Sequence, residues 1–147
     1  MKATFESLKP KVYEYDVETP DGETMSVEMR APTQAEMWRI SQTMPPRPTP
    51  PQSFENPFRK DETGVLQPVY NYADKGYQNQ LQDWLRIQMQ RQILVCWTEP
   101  VPGDTVDEQL AALDALPKWV LTVLWKCTQL VTQVEESAIK VRPFCAP

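Results

Sequence analysis

Apolar and polar residues alternate in two runs near the start of the chain. The run KVYEYDV, residues 11–17, and the run TMSVEMR, residues 24–30, each place apolar side chains at every second position. Alternation of this kind indicates a strand with one buried face and one solvated face. Between the runs lies TPDG, residues 19–22, whose proline and glycine suit a tight turn. The pattern predicts an antiparallel β-hairpin.

The next segment, APTQAEMWRISQTMPP, has the spacing of a short helix. Thr33 and Glu36 form a T-x-x-E capping box, in which each side chain bonds to the backbone N–H of the other residue. Prolines 45 and 46 end the helix, because proline has no N–H and restricts the residue before it. We expect a short helix whose apolar residues are Ala35, Met37, Trp38, Ile40 and Met44.

Residues 45–72 have no regular hydrophobic period, and five prolines fall between positions 45 and 51. We interpret this segment as a long extended loop that begins with polyproline II structure. We expect PPRPTPP, residues 45–51, to be a semi-rigid spacer, and the alternative is a ligand for an SH3-type domain. Parts of the loop are expected to lie on an apolar surface, through Phe54, Phe58, Val65, Leu66 and Tyr70.

A long helix is predicted from about residue 73 to residue 97. Its apolar stripe contains Tyr77, Leu81, Trp84, Leu85, Met89, Val95 and Cys96. Gln88 and Gln92 fall inside that stripe, whereas Gln90 falls on the opposite face with Asn79, Asp83 and Arg86. Near Trp97 the helix is apolar almost all round, so another element must cover that end.

Two further helices follow. Thr105 and Glu108 repeat the capping box, and the helix after them buries Leu110, Leu113 and Leu116. Pro117 suits the first turn of the last helix. The core stripe of that helix is predicted to be Val120, Val123, Leu124, Cys127, Leu130, Val131 and Val134. Leu121 and Trp125 lie off this stripe among polar residues. They form either an interaction site or a surface that the proline-rich loop covers.

The elements together predict an α+β fold that is mainly α, with an N-terminal β-hairpin, a short helix, a long proline-rich loop and about three bundled helices. At 147 residues the chain suits one domain. We divide it into the hairpin and short helix (1–44), the loop (45–72), the helical bundle (73–135) and a tail (136–147).

Composition argues against several functional classes. The net charge of −5 disfavours nucleic-acid binding, which needs a basic face. With no histidine, four glycines and no phosphate-binding motif, the chain is not expected to be an enzyme or to hold a cofactor or metal. There is no membrane-length apolar run and no secretory signal. Cys96 and Cys127 are expected to be reduced core residues, which is typical of a cytoplasmic protein.

The order of elements resembles the tail assembly chaperones of long-tailed, siphovirus-like bacteriophages. The resemblance rests on a hairpin turn of the type V-x-x-P-D-G-E, on RAPTQAEMWRI and on two helix motifs. In the first motif, D-x-x-Y-x-x-x-L, the matching residues are Asp74, Tyr77 and Leu81. In the second, L-x-x-L-P-x-W-V, they are Leu113, Leu116, Pro117, Trp119 and Val120. It covers most of the chain outside residues 45–70, and the proline run departs from the family pattern.

The resemblance implies a function in virion morphogenesis in the host bacterial cytoplasm. Such chaperones bind the tape measure protein and keep it soluble while the tail tube polymerises around it. A longer form made by ribosomal frameshifting recruits the tail tube protein, and this chain would be the short form. The alternative is a structural tail or head–tail component that stays in the virion. An adaptor that presents PPRPTPP to a recognition domain is a further alternative.

A chaperone of this kind acts through protein–protein interaction, and self-association is also expected. Glutamines inside an apolar stripe would let a contact form without buried charge and then dissociate. The other interpretation is that Gln88 and Gln92 border an ordinary internal core. The residues predicted to bind a partner are Leu121, Trp125, Gln88, Gln92, Trp84 and Trp97.

Overall fold

A computed structural model describes residues 2–137, and the fold is mixed α+β as predicted. The contacts of the described residues divide into two compact units, residues 2–42 with 89–137, and residues 43–88. We call these the first and second units. The elements in chain order are a short 3₁₀ helix (Glu6–Leu8), β1 (Val12–Glu18), β2 (Thr24–Arg30), α1 (Gln34–Thr43), β3 (Phe58–Lys60), β4 (Leu66–Pro68), α2 (Lys75–Cys96), α3 (Val106–Asp114) and α4 (Lys118–Ser137).

The predicted hairpin is confirmed. Strands β1 and β2 pair antiparallel, with Tyr15 opposite Val27 and Val17 opposite Met25. These side chains point to one face and are buried or half-buried, whereas the residues between them are exposed. Gly22 has a φ of +82° in the turn, a conformation that a residue with a side chain rarely adopts. Alternation and turn chemistry therefore fix the register together.

A third segment extends the hairpin on the far side of β2. Trp97, just after α2, forms an antiparallel bridge with Met29. The next residue, Thr98, donates its backbone N–H to the Glu28 carbonyl at 3.2 Å. Residues 97–98 thus occupy the outer edge of β2 in the way that a very short strand would.

The capping box predicted at α1 is complete, whereas only half of the one predicted at α3 forms. At α1, the Glu36 N–H donates to Thr33 Oγ1 at 3.2 Å and the Thr33 N–H donates to Glu36 Oε1 at 2.9 Å. At α3, the Glu108 N–H donates to Thr105 Oγ1, but the Glu108 carboxylate accepts from the N–H of Asp104. The apolar face predicted for α1 is only partly buried: Ile40 is covered, whereas Trp38 is 62% exposed.

The core of the first unit lies where α4 packs against the hairpin. Its buried residues are Val27, Met29, Ile93, Cys96, Leu113, Leu124, Cys127 and Val131. Cys96 and Cys127 are free cysteines, as predicted, and Cys145 lies outside the described residues. Of the predicted tail, residues 136–147, all but the first two also lie outside them.

The core stripe of α4 differs from the prediction toward its C-terminal end. Leu130 and Val134 were expected in the core but are 45% and 40% exposed. Thr128 is buried instead, and its hydroxyl donates to the Leu124 carbonyl at 2.8 Å. The hydroxyl is thereby satisfied within its own helix, so that burying this polar residue costs little. Thr128 therefore fills a core position that hydropathy assigns to larger apolar residues.

The second unit contains a small hairpin that the sequence did not predict. Strands β3 and β4 pair antiparallel, so the expectation of an entirely irregular loop is wrong. Asp61 organises the turn: its Oδ1 accepts from the backbone N–H groups of Thr63 and Val65, each at 2.9 Å. Gly64 supplies a φ of +83°. All six strand residues are exposed, which explains why no hydrophobic period revealed them.

Helix α2 begins at Lys75 and ends at Cys96, within two residues of the predicted bounds. Asp74 caps it, because its Oδ2 accepts from the Tyr77 N–H at 2.9 Å. Among the described residues, no helix is both long enough and apolar enough to cross a membrane.

Candidate partner-binding surface

The six residues predicted to bind a partner are divided between the two units. Trp84 and Gln88 belong to the second unit, whereas Gln92, Trp97, Leu121 and Trp125 belong to the first. All six are half-buried. The three first-unit residues with large apolar side chains, Trp97, Leu121 and Trp125, pack against the same core cluster. Trp97, Leu121 and Trp125 therefore contribute to the packing of the first unit's core, a role that Trp84 and Gln88, in the second unit, do not share.

Leu121 and Trp125 do not form the separate exposed patch that their helical angle predicted. Both contact the core cluster, so the expectation that they lie away from the core is wrong. The sheet face and the neighbouring helices cover a wider arc of α4 than one stripe allows. Their binding to a partner stays a prediction, and any such contact uses only the exposed part of each side chain.

The proline-rich segment contacts Trp84 within the second unit. Trp84 Nε1–H donates to the Pro45 carbonyl oxygen at 2.8 Å. The guanidinium carbon of Arg47 lies 5.4 Å from the centre of the Trp84 ring, within the range of a cation–π contact. The start of the predicted polyproline spacer is therefore held on a tryptophan by one hydrogen bond and one ring contact.

The glutamines of α2 are not arranged as the helical stripe predicted. Gln90, assigned to the solvated face, is 3% exposed and bonds to Asp114, whereas Leu85, assigned to the apolar stripe, is 46% exposed. One stripe drawn from Leu81 assumes a single packing partner along the whole helix. Here each unit buries its own part of α2, so the buried face changes along its length. Gln88 and Gln92 are half-buried.

A groove in the first unit was not predicted as a site. We call it the turn–helix groove, and it measures about 820 Å³. It lies between the β1–β2 turn and the start of α4 and is lined by Glu18, Thr19, Pro20, Lys118, Trp119, Thr122 and Val123. Trp119 is 36% exposed there. The sequence signal was present, since Trp119 belongs to the L-x-x-L-P-x-W-V motif.

The shape and lining of the turn–helix groove suit a protein segment. Its walls are mainly apolar, with a carboxylate from Glu18 and an ammonium from Lys118. A tryptophan beside a shallow apolar groove is a common anchor in protein–protein contacts. The groove is open to one side, so it can accept the apolar face of a helix rather than enclose a small molecule.

A second exposed tryptophan stands on α1, which an ion pair fixes to the hairpin. Arg30 donates two hydrogen bonds to the Glu36 carboxylate, at 2.7 and 2.6 Å. These bonds, with those from Thr33, lower the pKa of Glu36 to about 2 despite its partial burial. Glu36 thus both caps α1 and ties it to the end of β2. Trp38 on this helix is consequently held in a defined, exposed position.

Two free cysteine thiols lie in the core of the first unit. Among the described side chains, those of residues 2–134, there is no group of three or more histidine, cysteine, aspartate or glutamate side chains that could hold a metal ion. Burial raises the pKa of the Cys96 thiol to about 11, so that it stays protonated at neutral pH. Burial also raises the pKa of the Cys127 thiol. These two thiols behave as small apolar core groups.

Comparison of the chain with protein-family models, with curated proteins and with solved structures gave no match. The functional conclusion therefore depends on the residues themselves and on the resemblance carried by their motifs.

Proposed function

We propose that this protein is a tail assembly chaperone, which binds the tape measure protein and keeps it soluble while the tail tube polymerises around it. The observation that carries the proposal is the turn–helix groove. Trp119, in the motif on which the family resemblance rests, lines an open apolar groove at the start of α4. A chaperone for a long helical protein needs such a surface, one that covers apolar helix positions reversibly.

In this proposal one helix of the tape measure protein lies in the groove against Trp119 and Val123. Lys118 and Glu18 stand at the groove and would pair with charged residues beside the apolar stripe of the bound helix. Contact with a groove of this size is modest, so a long client would be held by many chaperone copies and released as the tube replaces them. The tail tube protein would be recruited by a longer, frameshifted form.

Co-expression with the tape measure protein of the same phage tests the proposal. We expect wild-type protein to keep the tape measure protein in the soluble fraction and to co-purify with it. Trp119→Gln should abolish both effects while leaving the circular dichroism spectrum unchanged. Trp38→Gln is the matched control, because it removes an equally large exposed aromatic residue from α1 and should retain both effects.

A second experiment separates the chaperone from a structural tail component. Mass spectrometry of purified virions should detect the tape measure protein but not this chain, since a chaperone leaves the finished tail. Its presence in virions at a stoichiometric level would favour a structural tail component. If wild-type protein neither binds nor solubilises the tape measure protein, the chaperone proposal is wrong.

A further inference from the structure

Strand β1 ends the N-terminal sheet on one side. Within the described residues, β1 pairs only with β2, and residues 97–98 take the opposite edge of β2. β1 is seven residues long, about the length that an added strand requires. A strand edge of this kind presents a row of backbone donors and acceptors to solvent, and another polypeptide can pair with it.

The register identifies which backbone groups point outward. The Glu28 carbonyl accepts from Thr98, so the backbone of Glu28 faces away from β1. Glu28 stands opposite Glu14. In an antiparallel pair, the backbone N–H and C=O groups of two opposite residues either all point toward the other strand or all point away from it. The backbone groups of Glu14 therefore point away from β2, as do those of Val12, Asp16 and Glu18 by alternation. Among the backbone and side-chain groups that the structure describes, none forms a hydrogen bond to these outward groups.

The side chains along this edge are acidic. Glu14, Asp16 and Glu18 are exposed and occupy every second position on the same face of the strand. Antiparallel pairing of two β1 edges would place these carboxylates opposite carboxylates, which destabilises a pair. The charge pattern thus opposes pairing with a second copy and favours a partner with the complementary pattern.

We propose that the free edge of β1 binds an extended, basic segment of a partner protein, which adds to the sheet as a further strand. Lysine or arginine at every second position would stand beside Glu14, Asp16 and Glu18. The alternate positions would carry β-branched residues, which would cover the exposed parts of Tyr15 and Val17 on the other face. Main-chain bonds supply affinity in this mode, and the carboxylates supply specificity. The proposal does not depend on the chaperone function.

Amide hydrogen exchange of the full chain, followed residue by residue by NMR, tests this. The probe is an end-blocked peptide in which lysine and valine alternate, Thr-Lys-Val-Lys-Val-Lys-Thr. At saturation, we expect exchange of the Glu14, Asp16 and Glu18 amides to slow by at least about tenfold, because they gain hydrogen bonds. The amides of Tyr15 and Val17 already bond to β2 and serve as internal controls. A peptide of the same composition without alternation should not protect the outward amides.

Two variants separate strand addition from general charge attraction. The double variant with Glu14→Lys and Glu18→Lys should no longer bind the peptide that alternates lysine and valine. It should instead bind a peptide that alternates glutamate and valine. Glu55→Lys with Glu62→Lys changes the net charge equally at exposed positions outside β1 and should bind like wild type. Asp16→Pro removes one outward N–H without removing a β1–β2 hydrogen bond, and it should also weaken binding.

Three different results would overturn the proposal that a partner strand adds to β1. Peptide binding without slowed exchange at Glu14, Asp16 and Glu18 would mean ionic adsorption and would overturn the proposal, as would no binding. Protection of the same three amides without peptide, together with a concentration-dependent dimer in sedimentation, would identify a second copy as the occupant and would also overturn it.

Discussion

Gln90 Nε2 donates a hydrogen bond of 2.6 Å to Asp114 Oδ1, and this bond joins α2 to the last residue of α3. Gln90 is 3% exposed, so its amide is satisfied in a nearly dry environment. An amide can donate to a carboxylate without itself bringing a charge into the core. One of the six glutamines between residues 78 and 92 thus has a clear structural role.

Replacing Gln90 by alanine should destabilise the first unit. The substitution removes a bond to a charged group and leaves a gap in the packing, so we expect a loss of about 1.5–3 kcal/mol in the free energy of unfolding. Urea denaturation measures this loss. Gln82→Ala is the control, because Gln82 is exposed on the same helix and should change stability by less than about 0.5 kcal/mol. Equal effects of the two substitutions would contradict the structural role of Gln90.

Trp125→Ala should also destabilise the protein, because Trp125 packs against the core cluster. A loss of about 2 kcal/mol or more is expected, somewhat less than for a fully buried tryptophan. Trp38→Ala should cost less than about 0.5 kcal/mol, since Trp38 is 62% exposed. Thermal and urea unfolding of both variants would compare the two sites. A neutral Trp125→Ala variant would restore the view that Trp125 stands on an exposed patch.

The ion pair between Glu36 and Arg30 should make stability depend on acid pH. Hydrogen bonds from Arg30 and Thr33 lower the pKa of Glu36 in the folded protein from 4.5 to about 2. Because the folded pKa is depressed, the stabilisation is complete above the unfolded pKa and is lost as pH falls from 4.5 toward 2.

Glu36→Gln tests this dependence. The variant should be less stable than wild type at pH 7 by about 1–3 kcal/mol, which is the range for hydrogen bonds to a charged group. The difference should shrink as pH falls toward 2, when wild-type Glu36 becomes protonated. Glu55→Gln, at an exposed position, is the matched control and should follow the wild-type profile. A constant difference between Glu36→Gln and wild type from pH 7 to pH 2 would rule out the ion pair as its cause.

Residues 45–70 should be dispensable for folding of the first unit. Every residue of the core cluster belongs to that unit. Replacing residues 45–70 by a short Gly/Ser linker should therefore change the unfolding free energy of the first unit by less than about 1 kcal/mol, because loop length has a weak effect on stability. Hydrogen exchange at Ile93 and Val131 reports on this core. Loss of their protection would show that the segment is required for the core.

Local sequence patterns predicted most of the helices and strands. Features that depend on packing between residues distant in sequence were predicted less accurately. The hairpin and the capping box at α1 depend on residues close in sequence, so alternation and T-x-x-E spacing were sufficient to predict them. The buried face of α2 was mispredicted at Gln90 because burial depends on distant partners such as Asp114. Strands β3 and β4 have no buried face, and the turn residues Asp61 and Gly64 were their only signal.

The candidate site shows the same contrast between local sequence signals and long-range packing. Trp119 belongs to a sequence motif, but the groove beside it requires the β1–β2 turn to approach α4. Helical angles within α4 alone cannot predict that approach. They instead selected Leu121 and Trp125, which the core partly covers.

Thr128 shows how a polar residue can present an apolar surface. Its hydroxyl bonds to the Leu124 carbonyl, and Thr132 repeats the arrangement by donating to the Thr128 carbonyl at 3.0 Å. A threonine in this arrangement donates its hydroxyl proton within its own helix, and the Thr128 Oγ1 also lies 3.9 Å from Met29 Sδ across the core. Threonine and valine are then nearly interchangeable in shape, and they differ toward the core only where the hydroxyl oxygen of Thr128 meets the Met29 sulfur. Divergence of this chain could therefore exchange the two at position 128 with little effect on packing, although any hydropathy profile would register a large change.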